Sequence, residues 1–348
     1  MKKLFILYLL VLSLSFSLLL AVPVIAAEKG GKLPRVLNLA TMPPGMIVNA
    51  QAIGIADVIS KHTPMSMKVV PATNEMVWVP MTKTKEIDLG VAGSVAIRQA
   101  YLGTFVFKNI AKKAKVKNFP MRLVLVGSPL RVNFFVRGND PAKTIPDLKG
   151  RRVVVFREGT HFYLYAKAKL ANAGLTYDDV KHVPAANPIE STRAVMEGRA
   201  DTAGLAVGAP IGTEAVAKVK ARFLPLDPSP EAVKRMKEVV DTAYVAKVPG
   251  GLLMGVPEDQ YLLHMDIVLV ARPDISEAAI YEITKALYDN NAELVKRPGL
   301  MEWKVKKFVS KEPQLPYHNG AIRFFREKGL WTKEMEDLQR KVLAEEPK

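Results

Sequence analysis

Apolar runs alternate along the chain with segments whose apolar side chains recur every three or four positions, the pattern of strands joined by helical crossovers. Residues 35–40 (Arg-Val-Leu-Asn-Leu-Ala) read as a first strand and residues 47–62 as a helix that stops before Thr63-Pro64. A strand at 67–70, a helix from Asn74 and a strand at 87–91 follow. After the polar turn Asp147-Leu148-Lys149-Gly150 the pattern restarts. The run Arg152-Val153-Val154-Val155-Phe156 suits a strand buried on both faces. A helix over 161–173 ending at Gly174, a strand at 180–183, a helix at 189–197 and a strand at 201–207 complete a second module. The chain therefore contains two successive α/β modules with parallel strands.

Between them, residues 121–137 hold two apolar extended runs separated by Gly127-Ser128-Pro129, read as a pair of passages between domains. A second passage is expected in the Pro/Gly-rich residues 248–257, before a strand at 267–271. The remainder is helical: Ser276 caps a helix with Ile280, Ile283 and Leu287 on one face, and Asn319 caps a helix that Gly329 ends. With the last third returning to the first module, two strands cross between lobes, the wiring of a hinged binding protein. The expected division is a signal peptide at 1–26, lobe I at 27–129 and 250–348, and lobe II at 130–249.

The signal peptide rests on Lys2 and Lys3, an apolar stretch over 4–22, and Pro23 ahead of the small residues Ala26 and Ala27. A retained anchor is the competing reading, since the stretch is nearly long enough to span a bilayer. No later stretch is comparably apolar, so the mature chain is expected to be free of the membrane and to reside in a periplasm. The 348 residues include no cysteine, which excludes disulfides, thiolate metal sites, a Cys nucleophile and a lipidated N-terminal Cys. The formal charge of +16 favours anionic partners. Export removes nucleic acid from consideration, and the basic residues Lys108, Lys112, Lys113, Lys115, Lys117 and Arg122 then read as a solvated face.

Five histidines, at 62, 161, 182, 264 and 318, lack the i, i+4 spacing of a helical zinc pair, and neither a nucleophile elbow nor a Gly-rich phosphate loop is present. No catalytic residue, metal or cofactor is expected. Open α/β sheets bind ligands in the loops at the carboxyl ends of their strands, where helix starts present N–H groups. Four such loops supply the candidates: Thr41 and Met46; Asn74 with Trp78; Ser94; and Arg157, Thr160, His161 and Tyr163. Gly208, after the last strand of the second module, joins them. Each also has a plain structural role open to it, as an N-cap, a core ring or a surface ion pair.

Several segments in their order resemble the TAXI family, the extracytoplasmic solute receptors of TRAP transporters. They are Ile87-Asp88-Leu89-Gly90-Val91, Asp147-Leu148-Lys149-Gly150-Arg151-Arg152-Val153, Gly198-Arg199-Ala200-Asp201, Gly208-Ala209-Pro210 and His318-Asn319-Gly320-Ala321-Ile322-Arg323-Phe324-Phe325-Arg326-Glu327-Lys328-Gly329. The resemblance implies a type II periplasmic binding protein fold, two α/β lobes joined by a hinge with two crossover strands, that closes on a small organic acid or amino acid. It also implies delivery to a TRAP membrane permease driven by an ion gradient. Pro43-Pro44-Gly45-Met46 stands where the family has a Gly-rich turn with a hydroxyl and aromatic rings. Met46, Leu252 and Met254 accordingly make the pocket more apolar than the family's.

The expected function is capture of a small organic anion by a monomeric receptor, with Arg157 as a bidentate fork for a carboxylate. Thr160, Ser94 and Asn74 add polar contacts, Trp78, His161 and Tyr163 form walls, and no protein cofactor takes part. A periplasmic sensor presenting its liganded form to a membrane receptor is the alternative. A hydrolase or lyase using His161 with Glu158 is a third reading, for which spacing assembles no catalytic set.

Overall fold

A computed structural model of the chain describes residues 33–347; the expected signal peptide at 1–26 lies outside them. In the first lobe, β1 (Val36–Thr41) pairs in parallel with both β2 (Ser66–Pro71) and β3 (Leu89–Gly93). The crossover α1 (Ile47–His62) forms because Ala52, Ile55, Ala56 and Ile59 share a buried face, and Lys61 and His62 in its last turn suit the negative end of the helix dipole. Short α2 (Glu75–Met81) leads into β3, and α3 (Ser94–Leu102) and α4 (Val106–Lys113) follow it. In α4, Phe107 and Ala111 are buried while Lys108, Lys112 and Lys113 are exposed, so this part of the basic stretch is a solvated helix face.

The chain then enters the second lobe on β4 (Arg122–Val136). There β5 (Arg152–Phe156) pairs in parallel with β6 (Lys181–Ala185), and Val153 bridges in parallel to Thr202 beside β7 (Ala203–Ala206). The helices α5 (His161–Asn172), α6 (Pro188–Met196), α7 (Pro210–Val219) and α8 (Pro230–Lys237) pack around these strands, with β8 (Arg222–Phe223) and β9 (Tyr244–Val248) at the margins. A second long strand, β10 (Gln260–Ala271), returns the chain to the first lobe, where α9 (Glu277–Asp289), α10 (Asn291–Leu294), α11 (Asn319–Glu327) and α12 (Lys333–Ala344) follow. There Tyr101 Oη–H donates to Val342 O at 2.8 Å and Arg122 pairs with Glu346 at 2.8 Å, which ties α12 to the first lobe.

The main sheet runs β2-β1-β3-β10-β4-β7, with Ile267 to Ala271 antiparallel to β3; β5 and β6 form a two-stranded sheet of their own beside β7, linked to it by the single Val153–Thr202 bridge. One sheet thus curls through both lobes, and β4 and β10 belong to each. Pro129 faces Asp266 in their shared register, which slips between Asp266 and Val268. A proline inside a central strand is tolerated at such an irregularity, where its missing N–H costs no regular ladder bond.

Three local expectations are corrected. Gly127-Ser128-Pro129 does not divide two runs, because β4 passes through it unbroken. Residues 248–257 are not a passage but the loop of the antiparallel β9–β10 hairpin: Val248 pairs with Gln260, and Gly250 N–H donates to Asp259 at 2.9 Å. Asn319 is the first residue of α11 rather than its cap; His318 Nδ1 accepts from Gly320 N–H at 3.2 Å. The N-caps of α2 and α9 fall where expected, at Asn74 and Ser276.

The segments that carry the family resemblance are structural fasteners. Asp88 accepts the Asn38 N–H and pairs with Arg272 at 2.9 Å; Asp201 accepts the Arg152 N–H at 2.9 Å and pairs with the same arginine's guanidinium. Gly90 is required because the Trp78 ring rests on it: a Cβ there would lie 2.3 Å from Trp78 Cη2.

Candidate functional site

After β5 the chain turns through exposed Arg157 and Glu158, and Gly159 adopts φ +85°. Thr160 then caps α5, its Oγ1 accepting the Tyr163 N–H at 3.2 Å. This cap fixes the first helical residue, His161, in the gap between the lobes, where it is 3% exposed. Its Nε2 lies 2.8 Å from Gln99 Oε1 of α3, and the rings of Phe105 and Phe107 lie 5.9 Å from it. With Nε2 donating to the amide oxygen, Nδ1 is left as an acceptor, and that atom is buried without a partner.

Glu75 Oε2 approaches this Nδ1 to 3.9 Å from the first residue of α2. Burial raises the pKa of Glu75, an effect its own backbone N–H partly offsets, and burial lowers that of His161 to about 4. Both shifts favour the uncharged form of each group, and at 3.9 Å the two atoms do not hydrogen-bond to each other. One turn along α5, Tyr165 is also buried, and burial, with Glu75 as a second cause, holds its phenol well above the usual range.

These three side chains bound a cavity of about 50 Å³. The first lobe contributes Met42, Met46, Ile47 and Val48 from the loop after β1 and the start of α1, together with Gly93 at the end of β3. Leu130 and Val132 of β4 line it at the crossing, and Phe162 and Leu205 come from the second lobe. Met46 and Gly93 stand at the N-caps of α1 and α3, and no side chain caps either helix. Uncapped first-turn N–H groups favour an acceptor or negative charge nearby. The lining includes neither arginine nor lysine.

Of the residues expected at the site, the structure brings together Met46 and His161 and sets the others apart. Arg157 is exposed on an open depression beside His182 and Glu190, outside this cavity. Thr160 serves as a cap, and Tyr163 stacks on Tyr177 at 4.6 Å. Thr41 donates to Val48 O at 3.1 Å inside the first lobe, and Trp78 is fully buried against Gly90. Ser94 is buried at the start of α3, next to Gly93. Asn74 stands at the N-cap of α2 with its Oδ1 buried and unpartnered. Gly208, at φ +81°, is exposed; a Cβ on it would lie 3.9 Å from Ile47 Cδ1. Leu252 and Met254, expected to make the pocket apolar, are more than half exposed on an open groove of the second lobe.

Sequence reasoning passed over Glu75, Met42, Leu130, Val132, Phe162, Tyr165 and Leu205. Glu75 adjoins the candidate Asn74, and Tyr165 falls at i+4 from His161, so both carried a signal. The apolar liners carried none, being indistinguishable in pattern from core residues. The other histidines are engaged elsewhere: His62 with Glu293, His182 with Tyr177 O, His264 with Arg131, and His318 as a cap. Among the described residues no group of three His, Asp or Glu could hold a metal, and no helix is long and apolar enough to cross a membrane.

A family model matches residues 50–329 of this fold, from α1 through α11. The chain belongs to the NMT1-like family. This NMT1-like protein also resembles solved structures. One, described as the structure of a periplasmic transporter, has a TM-score of 0.53 at 13% identity, over 88% of this chain and 96% of that one. PhnD1 from Prochlorococcus marinus in complex with methylphosphonate gives 0.49 at 12% identity, over 85% and 99%. The periplasmic aliphatic sulphonate binding protein SsuA from Escherichia coli gives 0.45 at 16%, over 89% and 97%. The NMT1-like chain has the two-lobe α/β fold of type II periplasmic binding proteins.

Proposed function

We propose that this NMT1-like protein is an exported solute receptor that closes its two lobes on a small organic molecule. The observation that carries this reading is the cavity lined from both lobes and enclosed where the two long strands cross. Binding of this kind works by closure: groups on opposite lobes surround the solute together only in the closed form, so the solute shifts a hinge equilibrium. The lobes divide at Pro129 on β4 and near Asp266 on β10, so that residues 250–259 belong with lobe II. The segments that resemble the TAXI family support the finer assignment, a TRAP-type receptor that hands its solute to a membrane permease. The apolar leader at 1–26 supports a periplasmic setting.

A carboxylate on the solute would be received by the N–H groups at the starts of α1 and α3 and not by Arg157. Titration calorimetry against small organic acids, amino acids and amines tests the reading. Binding of at least one solute is expected, and Leu130→Trp, which fills the cavity, is expected to abolish it. A protein that binds none of them, or whose binding survives Leu130→Trp, is not a receptor working through this cavity.

A further inference from the structure

Within the cavity, Glu75 Oε2 and His161 Nδ1 lie 3.9 Å apart, beyond hydrogen-bond distance; Nδ1 is buried without a partner, and Glu75 has no basic side chain beside it other than this imidazole. The imidazole cannot turn to satisfy itself, because Nε2 is held by Gln99 Oε1 and the ring is wedged by Phe105 and Phe107. The titratable groups facing Glu75 are His161 and Tyr165, both on α5, and neither is a cation. A buried carboxyl without a basic partner stays protonated or awaits a cation from outside. A buried acceptor aimed into a cavity likewise awaits a donor.

We propose that the solute carries a protonated primary amine, whose nitrogen bridges Glu75 and His161 Nδ1 as the apolar remainder fills the space among Met42, Met46, Leu130 and Phe162. The spacing suits this: one nitrogen can stand at hydrogen-bond distance, ~2.9 Å, from two acceptors 3.9 Å apart. An ammonium supplies the missing charge and the missing donor together. An amine-free organic acid would supply neither, and would bring a second carboxylate against Glu75. The ammonium therefore carries the affinity, and a carboxylate on the solute is dispensable. This rests on the receptor reading above and narrows it.

The test uses matched sets of solutes, straight-chain amino acids beside the alkylamines and the alkanoic acids of the same chain length, in calorimetry with the full mature chain. Amines and amino acids are expected to bind at least about tenfold more tightly than the matching acids. Glu75→Gln is expected to remove that preference with the thermal unfolding transition retained. The comparison of solutes in the wild-type protein needs no variant. An acid that binds as tightly as its matching amine, or an amine preference that survives Glu75→Gln, overturns the inference and leaves the receptor reading standing. Failure of all three classes to bind overturns both.

Discussion

Lys169 lies two turns beyond His161 on α5, 1% exposed, with its Nζ 4.3 Å above the ring of Phe134. Room for the ammonium exists because Gly204 has no side chain; a Cβ there would lie 2.8 Å from Nζ. Among the described residues no carboxylate pairs with it, and burial lowers its pKa to about 7. An unfolded lysine titrates near 10.4. Between these values the unfolded chain holds a proton that the native one does not, so stability rises with pH across the interval and the full cost is felt below it. Lys169→Met should therefore stabilise the protein by about 4 kcal/mol at neutral pH and below, with the gain fading as pH approaches 10. Denaturant unfolding of both proteins across this range checks it, and a pH-independent difference would show that Lys169 is solvated in the native state. Sequence reading could not find this group, because a lysine in an amphipathic helix ordinarily turns to solvent. The same holds for Trp78, which looks like a ligand wall until its ring is seen filling the space above Gly90.

Segments with one clear period were legible at the scale of the element. Helix α1 and strand β5 have the bounds that their spacing dictates, since a buried helical stripe and a doubly buried strand each leave one reading. The two crossing strands were legible only in part. Gly and Pro ordinarily punctuate strands, and in β4 both sit mid-strand because each meets a tertiary demand. Pro129 stands opposite Asp266 where the β4–β10 register slips, and Gly127 leaves space for the fully buried Trp303. A Cβ on Gly127 would lie 2.2 Å from Trp303 Cε2. Gly127→Ala must displace either that indole or the strand, and a loss of about 3 kcal/mol is expected in equilibrium unfolding. A loss under about 1 kcal/mol would mean that Trp303 repacks freely and that β4 is not held by it. Likewise, the Gly/Pro richness of residues 248–257 marked a hairpin loop, while the crossing strand β10 lay just beyond.

For the whole molecule, the pattern of two α/β modules and a C-terminal return foretold the architecture, because repeated strand and helix periods are properties of the chain itself. The cavity was far less legible, since whether Leu130 or Val132 faces a lobe's own core or the gap depends on how the lobes meet. His161 joins those two levels. In the structure, which the proposed receptor function makes the closed form, it is buried between Gln99, Phe105 and Phe107 of the first lobe, with its pKa lowered to about 4. An open form would return it to water and to about 6.5. As pH falls between these values the open form binds the extra proton, so acid favours opening, by up to about 3 kcal/mol. Glu75 works the other way: its pKa is raised in the closed form, so acid protonates the closed form first and favours closure. Glu75→Gln removes the opposing group. In that protein the distance between fluorophores placed on the two lobes should lengthen as pH drops from about 6.5 to about 4. With His161→Phe added, which keeps the ring and removes the proton site, the distance should hold constant. A pH-dependent distance that persists in the double variant would assign the switch to another group and leave His161 a packing residue.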